Sequence, residues 1–353
     1  MVEKEITKVF LRDFRSLYPM LSLRKELPAR TERAGGRSKT PSVDLVLELE
    51  IPREKKTKRV IAEVKAEGFP KYLRLAGNQL RAALKGDKSI YPVVIAPYIS
   101  GEGRKICEEE GIGFFDLSGN CFLAFNGTYI DVRGNPNRYS SDRKLKSIFK
   151  GKSSRVARVL LVNPSRRWTL REIADEAVLS VGQVFKVIAR LEELDVILKE
   201  EQAGIQLTKP GNLLDAWRNE YSYKLNEVLS FYSLNDVSKI EKAIVDECGR
   251  QNIRYALTLF SGASRIAPFA RHSQVFAYVD DPHTVAAKLG LKKVDSGSNV
   301  ILLKPFDDGV YYGSQTKDRF KVVSNIQLYV DLYNYKGRGE EQAEFLRSQI
   351  IKF

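Results

Sequence analysis

The sequence predicts a multidomain α/β protein: an α/β domain over residues 1–133, a basic linker over 134–152, a small helical domain with a β hairpin over 153–211, and an α+β domain over 212–353. Three observations predict it. The chain has 353 residues, more than one ordinary hydrophobic core takes. Between residues 43 and 66 apolar and polar side chains alternate with period two, and an amphipathic helix pattern follows, as at the start of a helix-covered sheet. Between 153 and 207 three short helix patterns with capping signals run directly into a hairpin pattern.

Composition narrows the class. With 43% apolar and 29% charged residues the chain reads as soluble and globular. There is no run of about 18 uninterrupted apolar residues. The opening MVEKEITKVFLRDF carries acids inside an amphipathic pattern instead of a secretory core, so the expectation is a cytoplasmic protein with no membrane segment. Cys107, Cys121 and Cys248 are far apart, and His272 and His283 are the two histidines, which disfavours disulfide scaffolds and zinc sites. A formal charge of +14 points toward polyanionic partners.

In the first domain, PSVDLVLELEIPREKKTKRVIAEVKAEG reads as a β hairpin turning through PREKKTK. Val43, Leu45, Leu47, Leu49 and Ile51 point one way in its first strand, and Val60, Ala62, Val64 and Ala66 in its second. For both rows to share a core, Asp44, Glu63 and Lys65 must share the opposite face. With the turn centred near Glu54 and Lys55, Asp44 is expected across from Lys65.

Two carboxylates beside an ammonium suit hydrolytic magnesium chemistry: hard oxygen ligands for the ion, and a cation near the attacking water or the scissile phosphate. Asp followed across a hairpin by Glu-x-Lys resembles the core pattern of the PD-(D/E)XK nuclease-like, or restriction-endonuclease-like, fold, with its Pro-Asp relaxed to Pro41-Ser-Val-Asp44. The resemblance implies Asp44 and Glu63 as metal ligands, Lys65 as the catalytic cation, and a further acid on the preceding helix, for which Glu26 and Glu32 both stand as candidates. A surface ion-pair cluster on an edge hairpin is the structural alternative, and retained catalysis stays open because fold does not imply function.

The following helix pattern puts Tyr72, Leu73, Ala76, Leu80 and Ala83 on one side, with Arg74 and Gln79 nearby. YPVVIAPYIS reads as a buried parallel strand, GEGRKICEEEG as a helix, and GFFDLSGNCFLAFNGTYIDV as further strands closing the domain near residue 133. Asp116, Ser118 and Asn120 read as turn chemistry rather than catalysis.

The linker GNPNRYSSDRKLKSIFKGK sets Arg138, Arg143, Lys144, Lys146, Lys150 and Lys152 against one acid, Asp142. Such a run neutralises phosphates, or is simply solvated. Beyond it, SSRVARVLLVNP is a helix stopped at Asn163-Pro164; WTLREIADEA opens on a capping box of Thr169 and Glu172; SVGQVFKVIARLEELDVI opens on Ser180 and Gln183 and buries Val184, Ile188, Leu191 and Leu194. With the hairpin VILKEEQAGIQLT, these make a winged helix-turn-helix. In that geometry the third helix enters the major groove by its N-terminal half. Ser180 caps it, Gly182 lets the backbone approach the duplex, and Gln183, Lys186 and Arg190 leave its buried stripe to read or grip DNA, while Arg166 and Arg167 are phosphate contacts. The alternative is a winged helix used only for protein contact.

In the last domain NLLDAWRNEYSYKLNEVLSFY and DVSKIEKAIVDECGRQ read as helices, NVILLKPFD and GVYYG as strands, and VSNIQLYVDLYNYKGRGEEQAEFLRSQII as helical. Ser261-Gly262 with Asp280-Asp281 faintly matches a nucleotidyltransferase pattern, but the spaced Asp-x-Asp is missing and the turn before Pro282 accounts for the acids. Tyr311, Tyr312, Tyr329, Tyr333 and Tyr335 read as core and interface aromatics rather than a base-stacking platform.

The winged helix, RYALTLFSGASRIAP with FAYVDDP, and NIQLYVDLYNYKGRGEEQAEFLR together resemble the AbiEi-like antitoxin and transcriptional-regulator family of type IV toxin-antitoxin systems. APYISGEGRKICEEEGIGFFDLSGNCFLAF looks like the front of its long members, where a nuclease-like domain precedes the winged helix. The resemblance implies a prokaryotic regulator that binds double-stranded DNA, represses its own promoter and counteracts a nucleotidyltransferase-like toxin. Antitoxins of this family generally begin at the winged helix, so the domain in front departs from a simple antitoxin. A rival expectation is a magnesium-dependent endonuclease aimed by the winged helix, and a third is a pure protein-interaction module. A homodimer stays open, since no heptad fixes one.

Overall fold

The computed structural model describes residues 1–27, 43–51, 56–84, 86–139, 148–200 and 204–353 of a mixed α/β protein. The chain divides into two compact units, Met1–Lys144 with Glu193–Asp195, and Leu145–Glu192 with Val196–Phe353. Among the described residues no helix is long and apolar enough to cross a membrane.

The first unit is one seven-stranded sheet with helices on both faces. Its elements are α1 (Glu3–Leu17), β1 (Ser22–Leu27), β2 (Leu45–Ile51), β3 (Lys56–Val64), α2 (Pro70–Leu84), β4 (Ile90–Ala96), α3 (Gly101–Glu109), β5 (Gly113–Asp116), β6 (Cys121–Phe125) and β7 (Thr128–Val132). The strands lie in chain order, and β3, β4 and β5 run parallel while the other neighbours are antiparallel. Alternation assigns the faces. Leu45, Leu47, Leu49, Val60, Ala62 and Val64 pack against Ile6, Phe10 and Phe14 of α1. Val46, Ile61 and Val94 pack against Leu73, Ala76 and Leu80 of α2 and Ile106 of α3.

The hairpin register differs from the expectation by two residues. Leu45 pairs with Ala62 and Ile51 with Lys56, so Asp44 stands across from Glu63 and not Lys65. The cause is turn length: Ile51 and Lys56 close on four intervening residues, which themselves lie outside the described set, and this puts the turn centre one residue nearer the N-terminus than expected. A two-residue shift conserves side-chain parity, so the three charged residues keep their common face.

The second unit begins with α4 (Ser154–Val162), β8 (Arg167–Trp168), α5 (Leu170–Ala177), α6 (Val181–Glu193), β9 (Ile197–Glu200) and β10 (Gly204–Leu207). β10 lies between β8 and β9, antiparallel to both. Ile173, Val184, Ile188 and Leu191 are buried, whereas Leu194 is half-buried. Then come α7 (Pro210–Glu220), β11 (Glu227–Tyr232), α8 (Val237–Arg250), β12 (Tyr255–Leu257), α9 (Leu259–Ile266), β13 (Val275–Val279), α10 (Pro282–Lys288), β14 (Lys292–Lys293), β15 (Val300–Lys304), β16 (Gln315–Lys317), β17 (Phe320–Val322), α11 (Asn325–Tyr333) and α12 (Gly339–Leu346). The sheet order is β14-β11-β15-β13-β12-β17-β16.

Two sequence expectations fail here. The helix expected through Tyr232 ends at Glu220: Asn334 Nδ2 donates to the carbonyls of Arg218 and Tyr221, and the chain resumes as β11, where buried Leu229 and Phe231 have strand spacing. GVYYG is part of a short 3₁₀ turn, Asp308–Tyr311, because Asp307 Oδ1 accepts from Gly309 N at 2.8 Å while the same carboxylate takes the Arg155 guanidinium in a forked pair at 2.9 Å.

A fully buried polar network joins α4 to α7, α9, β13 and α11. Arg158, 0% exposed, donates to Gln327 Oε1 at 2.7 and 3.0 Å and to Ser154 Oγ at 2.6 Å, with its guanidinium 4.7 Å from the Trp217 ring. Gln327 turns its Nε2 to Asp331 Oδ1 at 2.9 Å. Asp331 also accepts from Tyr221, Tyr278 and Thr258 at 2.8, 2.9 and 2.6 Å. Burial raises the Asp331 carboxyl, the donors oppose it, and the result is about 6.

Asp331→Ala strands four buried donors and is expected to cost about 3–5 kcal/mol in chemical denaturation of the full chain. The folded chain holds the Asp331 proton more tightly than the unfolded chain, so the stability linked to this group is present below about pH 4 and lost as pH rises through about 6. The wild-type advantage over Asp331→Asn is therefore expected to shrink between pH 4 and 6 and to be flat above; a constant difference would refute the assignment.

Candidate functional site

In the first unit the candidate is the charged end of the hairpin. Asp44 N donates to Ala62 O at 3.1 Å and Asp44 Oδ2 accepts from Val64 N at 2.8 Å, so Asp44 brackets residue 63. Lys65 Nζ donates to Glu63 Oε2 at 2.8 Å and to Gln79 Oε1 of α2 at 2.7 Å. Glu63 is only 4% exposed, whereas Asp44 is exposed. Burial pushes the Glu63 carboxyl up; Lys65 opposes this, and the charges of Asp44 and Glu3 add to it.

The structure thus brings Asp44, Glu63 and Lys65 together. Glu26 lies on strand β1, its backbone paired with Leu47, so it is not a helix-borne acid; its side chain and all of Glu32 lie outside the described residues. The acid on the preceding helix whose charge reaches Glu63 is Glu3, in the first turn of α1. Sequence reading missed it, although the helix and its leading acids were visible in MVEKEI; what hid it was the 60 or so residues between them, since only the closed sheet sets α1 beside β3.

Among the described residues no three His, Cys, Asp or Glu side chains are grouped to hold a metal ion. Asp44 and Glu63 nonetheless supply two hard carboxylates, and magnesium takes one or two of these and keeps its waters. Burial is the main cause that raises Glu63 and the Asp44 charge adds to it, so a cation there would offset the smaller, added part.

Asp116 presents the opposite case. Its carboxylate accepts from the backbone of Ile99, Ser118 and Asn120 and from Asn120 Nδ2, at 2.9–3.2 Å. Both oxygens are consumed in holding the loop, as turn chemistry requires.

In the second unit the candidate is the surface of α6 with its preceding turn. Both expected capping boxes form: Thr169 with Glu172, and Ser180 with Gln183. Val178 turns the chain between α5 and α6 in the left-handed region, φ 53°. Gly182, Gln183 and Lys186 are exposed and Arg190 is half-buried. A Cβ on Gly182 would meet nothing, so the surface there is open. Gln183 Oε1 accepts from Ser180 N at 3.2 Å and Oγ at 3.1 Å, which commits that oxygen to the cap.

Arg166 stacks 3.8 Å from the Trp168 ring and donates to Glu172 at 3.0 Å; Arg167 pairs with Glu200 at 3.3 Å. Lys150 and Lys152 are exposed beside the 3₁₀ turn Gly151–Ser153, while Lys144 and Lys146 lie outside the described residues. Ser261 is buried, its Oγ accepting from Phe276 N, Asp281 caps α10, and Asp280 pairs with Arg254. Those three side chains are absorbed in structure.

Comparison with known proteins bears on this unit. Residues 206–352 match the family described as transcriptional regulator, AbiEi antitoxin, Type IV TA system. The match starts inside β10 and covers the second sheet with its helices. No curated protein matches the chain. Among solved structures it is similar to an EndoMS–dsDNA complex (15% identity, 32% of this chain and 42% of that one, TM-score 0.22), to EndoMS in apo form (13%, 33% and 46%, 0.23) and to a repair endonuclease from Pyrococcus abyssi (15%, 33% and 46%, 0.23). The similarity spans less than half of each of those chains.

Lys65→Met is expected to push the Glu63 carboxyl further up. The stability linked to Glu63 is present at low pH and lost as pH rises through its raised folded value, so the variant should be destabilised more at pH 8 than at pH 5 in urea titrations. Adding Glu63→Gln should erase the pH difference; its persistence would mean that the pair does not exist.

Proposed function

We propose that this chain is a sequence-specific DNA-binding regulator of the AbiEi antitoxin kind, in which α4, α5, α6 and the β8–β10–β9 sheet act as a winged helix-turn-helix. The observation that carries this reading is the exposed N-terminal half of α6, fixed by the Ser180 cap and presenting Gly182 and Lys186 to solvent. The AbiEi match over residues 206–352 and the formal charge of +14 support it.

In this reading α6 enters the major groove by its N-terminal half, with Lys186 and Arg190 gripping the duplex. Ser180 and Gln183 hold the helix start in place. Arg166 and Arg167 exchange their carboxylate partners for phosphates, and Lys144, Lys146, Lys150 and Lys152 add sequence-independent attraction. The expected form is a cytoplasmic homodimer on paired half-sites that represses its own promoter and opposes a nucleotidyltransferase-like toxin.

The test is fluorescence anisotropy with duplexes from the region upstream of its own gene. Binding should weaken linearly on a log–log salt plot. Lys186→Glu with Arg190→Glu should abolish it, and Glu63→Ala should leave it intact. Absence of any salt-dependent retention would leave a protein-interaction module instead.

A second reading, a magnesium-dependent endonuclease aimed by α6, is favoured by the convergence of Asp44, Glu63, Lys65 and Gln79. Asp44 and Glu63 would hold the ion, which would supply Lewis acidity and a water of lowered pKa. Lys65, steered by Gln79, would neutralise phosphate charge. Plasmid cleavage with magnesium or manganese, lost in Glu63→Ala and Lys65→Ala, is the expected result. No cutting, with DNA binding unchanged in both variants, would show the hairpin to be a scaffold.

A further inference from the structure

The exposed surface of α6 is not mainly polar. Val181 and Phe185, one helical turn apart, are 46% and 50% exposed, and Val178 in the turn before them is 75% exposed. Each would cost less buried, and a bulky β-branched residue in the left-handed region at Val178 is an unfavourable conformation to keep without a use. Cations surround this strip: Lys186 follows Phe185 on α6, and Lys199 of β9 places its Nζ 5.3 Å from the centre of the Phe185 ring. An apolar strip flanked by ammonium groups has the charge pattern of a surface that meets a polyanion carrying apolar groups of its own. In duplex DNA those groups are the thymine 5-methyls, which line the major groove and are read by apolar side chains such as Phe.

The commitment of Gln183 strengthens this. Reading adenine with both ends of a Gln amide needs its oxygen, which here accepts from Ser180 N and Oγ. Base discrimination by this helix therefore falls to its other exposed groups.

Resting on the DNA-binding reading above, we propose that α6 selects its site through thymine methyl groups packed against Phe185 and Val181, with Lys186 and Lys199 on the adjacent phosphates. Selectivity then comes from apolar contact, and affinity from the cations.

The experiment uses the full chain. A randomised duplex library is taken through rounds of selection, and the recovered consensus is resynthesised with deoxyuridine at single thymines, which deletes one methyl and nothing else. Wild type is expected to lose about fourfold in affinity at each contacted thymine, the worth of roughly one buried carbon. Phe185→Ala should bind more weakly and lose that sensitivity at one position, Val181→Ala at a neighbouring one. Both side chains are exposed, so unchanged melting temperatures should accompany these losses. Retention of no duplex would overturn the DNA-binding reading itself. Tight, salt-dependent binding that ignores deoxyuridine and Phe185→Ala alike would leave that reading standing and overturn this proposal. So would sedimentation showing that Phe185→Ala dissociates a dimer while each protomer binds DNA as before, because the strip would then be a subunit interface.

Discussion

The second unit is organised around a guanidinium with no access to water. Arg158 is entirely buried, and a charge in that position is tolerable only if every donor finds an acceptor and a counter-charge lies within reach. Ser154 and Gln327 give each of its three nitrogens an acceptor, and Trp217 covers the cation's face. Of the two carboxylates that act on it, Asp307 and Asp331, the second is met through the Gln327 amide, whose oxygen faces the arginine and whose nitrogen faces the carboxylate. Because Asp331 also gathers Thr258, Tyr221 and Tyr278, one network fixes the end of α7, the start of α9, the middle of β13 and the length of α11. Such a network half-made would be worse than an apolar core, so its members are committed together. The helices that lead to α6 are thereby part of the same folded body as the AbiEi-matching sheet, and the Arg155–Asp307 fork is a second tie of the same kind.

Of the six buried carboxylates among the described residues, burial raises three, Asp116, Asp331 and Glu63, and their partners distinguish them. Asp116 and Asp331 each accept from four donors, spread over both oxygens, and their positions are explained by what they hold. Among the described residues, Glu63 accepts from Lys65, on Oε2. All three are raised by burial, so a raised carboxyl by itself separates nothing. What sets Glu63 apart is its place near a strand end beside an exposed carboxylate and an ammonium that Gln79 also holds, and the proposed endonuclease reading rests on that convergence.

How far the sequence could be read follows from which forces are local. Period-two alternation placed the odd residues of β2 and the even residues of β3 in one core, since parity is a property of the chain itself. The absolute register depends on how tightly the turn closes, and alternation is blind to a shift of two. The helix starts at Thr169 and Ser180 were legible because a capping box is complete within four residues. β11 was not: Leu213, Leu214 and Trp217 set a helical rhythm that the eye carries through YSYKLN, while the stop comes from Asn334, more than a hundred residues away. Arg158 in SSRVARVLLV looks like the solvated face of a helix until Gln327 is brought to it by the fold. Glu3 reaches Glu63 for the same reason.

Gln183 shows the same limit within a single side chain. The sequence offers a glutamine three residues after a serine at a helix start, and also a polar residue on the outer face of the helix; capping and base reading are both good chemistry for it. An acceptor that already receives the Ser180 amide and hydroxyl would have to give up those bonds to bind a base, and would loosen the helix start it presents. Under the proposed reading, then, the cap is not a spare feature beside the recognition surface but the condition for it: it fixes where α6 begins, and so where Val181, Phe185 and Lys186 stand. A cation placed on a phosphate attracts any duplex, so in the phosphate role proposed for them Lys186 and Lys199 do not tell one duplex from another. Under that proposal discrimination comes from groups whose contact depends on base identity, the exposed apolar ones of α6.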